Sequence, residues 1–191
     1  VSQGKDYWTT WSNSPGSAED PFVTDAQAYE GSNSVVIEGT NDAVLLLDNY
    51  TSGQFTVDFM VYVPTGKVGY FNLLHMFDGT NSSWGMQAYF DVGGIGTVDA
   101  GGAGAGAFTY SYDTWHNVTV DIDLDTDFAE MFFNGSSVVT WQWSTGAFGQ
   151  DDLLEFNAMN LYAWAETGTP GAFFDNIDIS SSGVQPDPPT I

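Results

Sequence analysis

Apolar and polar residues alternate with a period of two along most of this chain, and no apolar stripe at i, i+3, i+4 runs for three turns. The pattern predicts an all-β protein. From Gln54 to Val63, Phe55, Val57, Phe59, Val61 and Val63 alternate with Gln54, Thr56, Asp58, Met60 and Tyr62, which describes a strand with one buried face. Pro64-Thr65-Gly66-Lys67 supplies a turn. The next run, "VGYFNLLHMF", is apolar on both faces and reads as a central strand.

Further strands are expected in "WGMQAYFDV", "TWHNVTVDIDLD", "LEFNAMNLYAWAE" and "GAFFDNIDIS". In the second of these His116, Val118, Val120, Ile122 and Leu124 fall on one face and Asp121, Asp123 and Asp125 on the other. "FAEMFFNGSSVVTWQWS" predicts a hairpin turning at Asn134-Gly135, where both residues tolerate positive φ. The tract "GGIGTVDAGGAGAGA" reads either as a flexible loop or as small-residue strands near another backbone. "SNSVVIEGTNDAVLLL" holds two strands, and "WTTWSNSPGSAEDP" is loop-like. About ten to thirteen short strands at near-regular spacing indicate a two-sheet antiparallel β-sandwich, most simply a jelly roll.

The chain has 191 residues, 42% of them hydrophobic and 16% aromatic, enough for one buried core. A single domain is expected over residues 1–180, followed by a Ser/Gly/Pro-rich linker over 181–191 with more chain beyond it. Only Lys5 and Lys67 are cationic against 25 acidic residues, for a net charge of -23. That field repels nucleic-acid phosphates and anionic lipid, so neither is an expected partner. No stretch predicts membrane insertion, and with no cysteine there is no disulfide or thiolate metal site.

Several segments carry a family resemblance: "AYEGSNSVVIEGTNDAVLLL", "MVYVPTGKVGYFNLLHMF", "YDTWHNVTVDIDLDTDFAEMFFNG", "WQWSTGAFG" and "GTPGAFFDNIDIS". They resemble the concanavalin A-like jelly rolls, related to LamG and carbohydrate-binding modules, of secreted and surface proteins of Bacteroidetes. The similarity runs from about Trp8 to Ile179. It implies a secreted or cell-surface accessory module, with carbohydrate as the ligand class raised by fold-level kinship.

"DIDLDTD" invites three readings. A glycosidase needs carboxyl groups about 5–5.5 Å apart for retention or about 6.5–9.5 Å for inversion. Asp121 and Asp125 lie about 13 Å apart on a regular strand and Asp121 and Asp123 about 6.6 Å, so only the closer pair qualifies. A solvated outer face and a weak cation site of Asp123, Asp125 and Asp127 are the other two readings. The EF-hand pattern fails, because Thr126 and Phe132 stand where Gly and Glu are required.

Asp175 shares a strand face with Phe173, Ile177 and Ile179, which places a carboxylate on an apolar side with few cations to pair it. Either Ca²⁺ or backbone amides would satisfy it. Carbohydrate-binding jelly rolls with a similar closing strand hold a structural calcium, and the resemblance puts its ligands at Asp175 and, loosely, Asp6. His75 lies in an apolar run and reads as a core residue, and neither a Gly-x-Ser-x-Gly elbow nor His-Glu-x-x-His is present.

Aromatic faces beside amides are what a sugar cleft requires. Tyr162 and Trp164 share a face with Asn160, and Gln87 shares one with Tyr89, so these five are the candidate glycan ligands. Trp141 and Trp143 share another face; for any single ring, core packing competes with ligand binding. The sequence thus leads to a non-catalytic binding or adhesion module directed at a polysaccharide or surface glycan and not to an enzyme. A structural domain contacting protein neighbours in a filament or adhesin is the second reading, and a laminarinase-type glycoside hydrolase the third.

Overall fold

The computed structural model describes residues 7–79 and 81–182. Its strands are β1 (Trp8–Thr10), β2 (Phe22–Thr24), β3 (Ser34–Ile37), β4 (Asp42–Tyr50), β5 (Gln54–Tyr62), β6 (Gly69–Phe77) and β7 (Ser82–Asp91). They continue as β8 (Ile95–Asp99), β9 (Gly106–Thr109), β10 (Trp115–Asp123), β11 (Phe128–Phe133), β12 (Ser136–Trp141), β13 (Phe156–Tyr162) and β14 (Ala172–Ser182). One 3-10 turn, Trp143–Thr145, precedes β13. No helix among the described residues is long and apolar enough to cross a membrane.

These strands form two seven-stranded sheets, ordered β1-β4-β13-β6-β7-β8-β9 and β12-β11-β10-β5-β14-β3-β2, with all named strand pairs antiparallel. The protein is a jelly-roll sandwich. Period-two alternation decides which side chains meet: Phe55, Val57, Phe59 and Val61 of β5 and Val118, Val120 and Ile122 of β10 face inward from the second sheet. Phe71 and Leu73 of β6, Met86, Ala88 and Phe90 of β7, and Met159 and Leu161 of β13 face them from the first. Phe59 meets Phe71 edge-on across the layers at 4.9 Å. Each such side chain contributes about 1.5–3 kcal/mol on burial.

Trp141 and Trp143 both belong to this core. Trp143 enters it from the 3-10 turn, donates from Nε1 to Glu155 O at 2.8 Å, and occupies the space a Cβ on Gly85 would need. The Asn134-Gly135 hairpin is present, with φ of 49° and 73° at its corner.

Three expectations change in detail. The Gly/Ala tract resolves as β8 and β9, where Gly96 lets the Phe108 ring lie against the neighbouring strand. Trp8–Thr10, inside the loop-like N-terminal segment, forms a short edge strand on β4. Ser181 and Ser182, expected in the linker, extend β14 along β5; the rest of the linker lies outside the described residues.

Candidate functional site

The outer face of the first sheet carries three successive cross-strand rows. In the central row Asn160 of β13 pairs with Asn72 of β6, Asn72 with Gln87 of β7, and Gln87 with Asp99 of β8. One row toward one edge, Asp42 of β4 pairs with Tyr162, and Tyr70 with Tyr89. On the other side Leu46, Ala158, Leu74 and Trp84 stand in register. Two-residue steps put the tyrosine row about 13 Å from the Trp84 row. A polar strip therefore lies between two aromatic platforms.

The first platform joins Tyr70, Tyr89, Tyr162 and Trp164, with Trp164 5.0 Å from Tyr89 and 5.7 Å from Tyr70. Trp11 and Trp84 stack at 6.2 Å in the second. Phe148, 53% exposed, adds an edge, and the whole encloses a cleft of about 380 Å³. Its wall is the 142–155 connection. Ala147 N donates to Trp84 O at 2.6 Å, while Asp127 accepts Ser144 N, Ser144 Oγ and Gln142 Nε2 at 2.7–2.8 Å.

A hydrogen-bond chain crosses the floor. Tyr70 Oη donates to Gln87 Oε1 (2.5 Å), Asn72 Nδ2 donates to Tyr70 Oη (3.0 Å) and to Asn160 Oδ1 (2.8 Å), and Asn160 Nδ2 donates to Asp42 Oδ1 (2.7 Å) and Ala43 O (3.1 Å). Both amides are 1% exposed, so the chain is locked. Asn72 Oδ1 is left buried without a partner. Its amide cannot turn over, since that would set its oxygen against Asn160 Oδ1.

Burial pushes the Asp42 carboxyl up to about 6; the bond from Asn160 opposes that rise and the Glu19 charge adds to it. Burial also raises the Tyr70 and Tyr89 phenols, reinforced by neighbouring acidic groups, so both remain neutral donors. Gln87 Nε2, Tyr162 Oη, the Trp11, Trp84 and Trp164 indole nitrogens and Asp42 Oδ2 have no protein partner among the described residues, and none is a buried orphan. The cleft thus presents donors, acceptors and flat rings, which can hydrogen-bond hydroxyls and stack on the C–H faces of a ring.

All five glycan candidates, Asn160, Gln87, Tyr89, Tyr162 and Trp164, line this one cleft. Sequence reasoning missed Asp42, Tyr70, Asn72, Trp11, Trp84 and Phe148. Tyr70 and Asn72 were hidden because the β6 run reads as apolar on both faces, yet their i, i+2 spacing is itself the signature of an outward face.

The aspartates of β10 sit on the other sheet's outer face. Asp121 accepts Thr56 Oγ1, Asp123 accepts Gln54 Nε2 and the Asp125 and Thr126 amides, and Asp125 accepts Gly53 N. Asp127 turns away to the 142–155 connection, so the trio expected as a cation site diverges. No group of three or more His, Cys, Asp or Glu fit to hold a metal occurs among the described residues.

His75 is fully buried, and burial pushes its imidazole down. Nε2 lies 2.9 Å from Trp143 O, which can only accept, so Nε2 carries the proton. Ser83 Oγ donates to Asp151 Oδ2 (2.5 Å) with His75 Nδ1 3.4 Å away. Together with the His75 Nδ1–Asp151 Oδ2 approach of 3.7 Å, this set anchors the wall carrying Phe148.

Asp175 keeps the face of Phe173, but that face is the outer one. Phe174 is the fully buried residue, and a bulge between Asp175 and Asp178, with Asn176 at φ 50°, shifts the alternation so that Ile177 and Ile179, partly buried, pack against the core instead. Asp175 Oδ2 accepts Tyr29 N (2.8 Å) and Glu30 N (3.2 Å), and Oδ1 accepts Asn176 N (2.9 Å). Three N–H groups thus satisfy the Asp175 carboxylate; Asp6, the other expected calcium ligand, lies outside the described residues.

No family model and no curated protein matches the chain. Among solved structures, a sialidase aligns with a TM-score of 0.59 at 12% identity over 92% of this chain, which spans only 17% of the sialidase's length. Alginate lyase AlgAT5 of Polysaccharide Lyase family 7 aligns with a TM-score of 0.58 at 13% identity, covering 87% of this chain and 84% of the lyase. A putative glycosyl hydrolase from Parabacteroides distasonis gives 0.56 at 11%, covering 93% and 89%.

These neighbours correct the expectation that the chain is not an enzyme, since lyases and a glycosyl hydrolase carry this fold over most of their length. That expectation was drawn from the resemblance to accessory modules and from motifs read within single segments, whereas the chemical groups here converge from β4, β6, β7 and β13. At these identities the likeness establishes the fold: the chain is a concanavalin A-like jelly roll.

Proposed function

We propose that the outer face of the first sheet is a glycan-binding cleft. The observation that carries the reading is the row order, with a hydrogen-bonded amide strip between two aromatic platforms. Sugars need stacking surfaces for their C–H faces and fixed polar groups for their hydroxyls, and the cleft supplies both in preorganised form. The two platforms are far enough apart to engage different rings of one chain. The printed names of the structural neighbours, among them alginate lyases and a glycosyl hydrolase, support carbohydrate as the ligand class.

Isothermal titration against a panel of soluble polysaccharides tests the proposal. Trp164→Ala and Trp84→Ala each remove one platform and are expected to weaken binding about 10-fold or more, on the scale of about 1–3 kcal/mol per stacked ring. Binding that survives both substitutions unchanged would place the ligand elsewhere. The same incubations are assayed for new reducing ends and for the ultraviolet absorbance of unsaturated products, which report hydrolysis and elimination separately.

A further inference from the structure

We infer that the cleft takes uncharged, hydroxyl-rich glycans and rejects uronate-bearing ones. This rests on the glycan reading above and sets the chain apart from the alginate lyases whose fold it shares.

Charge makes the first argument. Among the residues lining the cleft, Asp42 is the one ionisable carboxyl and no Lys, Arg or His is present. Lys67, the one described cation of the Lys/Arg class, lies with its stem against Gly171 and is not part of the lining. Asp99 sits directly behind, bonded to Tyr89 Oη at 3.0 Å, and the chain as a whole carries -23. A uronate entering this field meets repulsion, with no cation among the described lining residues to offset its desolvation.

Hydrogen-bond polarity makes the second. The open groups include donors, Gln87 Nε2 and the indole N–H groups, and an acceptor, Asp42 Oδ2. Asp42 Oδ1 is already engaged by Asn160. Above about pH 6, where Asp42 is ionised, a hydroxyl can donate to it and accept from a neighbouring amide at once, whereas a uronate carboxylate can only accept and sets oxygen against oxygen at Asp42. Bidentate capture of a carboxylate ordinarily uses Arg, and this sequence has none.

The test measures affinity for uncharged glycans (laminarin, galactomannan and agaro-oligosaccharides) beside alginate and polygalacturonate, at low and high salt, in the wild type and in Trp164→Ala. At least one uncharged glycan should bind with an affinity that salt leaves within about 2-fold and that Trp164→Ala reduces; alginate and polygalacturonate should bind at least about 10-fold more weakly at low salt. If an anionic glycan binds as tightly as every uncharged one and Trp164→Ala abolishes it, the inference falls while the cleft stands. If nothing in the panel binds, or binding ignores Trp164, the cleft reading falls and takes the inference with it.

Discussion

Asn160 is the hub of the cleft floor, and replacing it with Leu, of similar volume, tests whether the amide chain holds the site. The wild-type side chain accepts from Asn72 Nδ2 and donates to Asp42 Oδ1 and Ala43 O. Two neutral hydrogen bonds at about 1 kcal/mol each and one to a carboxylate at about 1.5–3 kcal/mol give a gross loss of about 3.5–5 kcal/mol. The buried Leu side chain returns about 1.5–2 kcal/mol of apolar transfer free energy, leaving about 1.5–3.5 kcal/mol of destabilisation. That is a large share of the stability of a domain this size. Urea unfolding followed by tryptophan fluorescence reads the change in midpoint, and an NMR titration of the Asp42 carboxyl should move above its wild-type value of about 6, because Asn160 is the bond that lowers it. A loss below about 1 kcal/mol with an unmoved Asp42 titration would refute the hydrogen-bond chain.

The Asp42 carboxyl is raised in the folded protein, so its contribution to stability is fully present below the unfolded pKa and is lost as pH rises through about 6. A carboxyl raised from its ordinary value to about 6 is worth about 3 kcal/mol, which partial exposure reduces to about 1–2 kcal/mol. Unfolding of Asp42→Asn should therefore gain on the wild type by that amount between about pH 3.5 and pH 7. The depressed His75 acts in the opposite sense over the same interval but cancels in the difference between the two proteins. Gly85→Ala should cost about 1–3 kcal/mol, read by urea unfolding, since the new Cβ collides with the Trp143 indole deep in the core. Melting in calcium and in EDTA tests the ion expected at Asp175: the amide clamp predicts equal midpoints, and a higher midpoint in calcium would restore the ion.

The sandwich was legible because its signal is local. Alternation in β5 and β10 names the inward residues directly, and Asn134-Gly135 marks its own turn. The cleft was half legible for the same reason. Asn160, Tyr162 and Trp164 declare a shared face within one segment, as do Gln87 and Tyr89, but that these two faces join depends on β6 lying between β13 and β7. Asp42 follows from strand order alone, since it enters through the pairing with Tyr162. Trp11 and Phe148 come from segments with no periodicity to read. Asp175 was grouped with Ile177 and Ile179 because the bulge that follows it, which changes the face of every later residue, leaves no trace in an alternating pattern. The aspartates of β10 drew attention through density of charge, yet their partners are hydroxyls, amides and backbone N–H groups on the opposite face of the sandwich.

The most direct test of the account is an NMR titration of the labelled protein with an uncharged oligosaccharide, following side-chain amide and indole signals together. Shifts concentrated on Gln87, Asn72, Asn160, Trp84 and Trp164, with the Gln54 and Asn117 side-chain amides on the other sheet unmoved, are the predicted result. Shifts confined to the β5–β10 face, or tight binding that leaves every cleft signal in place, would contradict it.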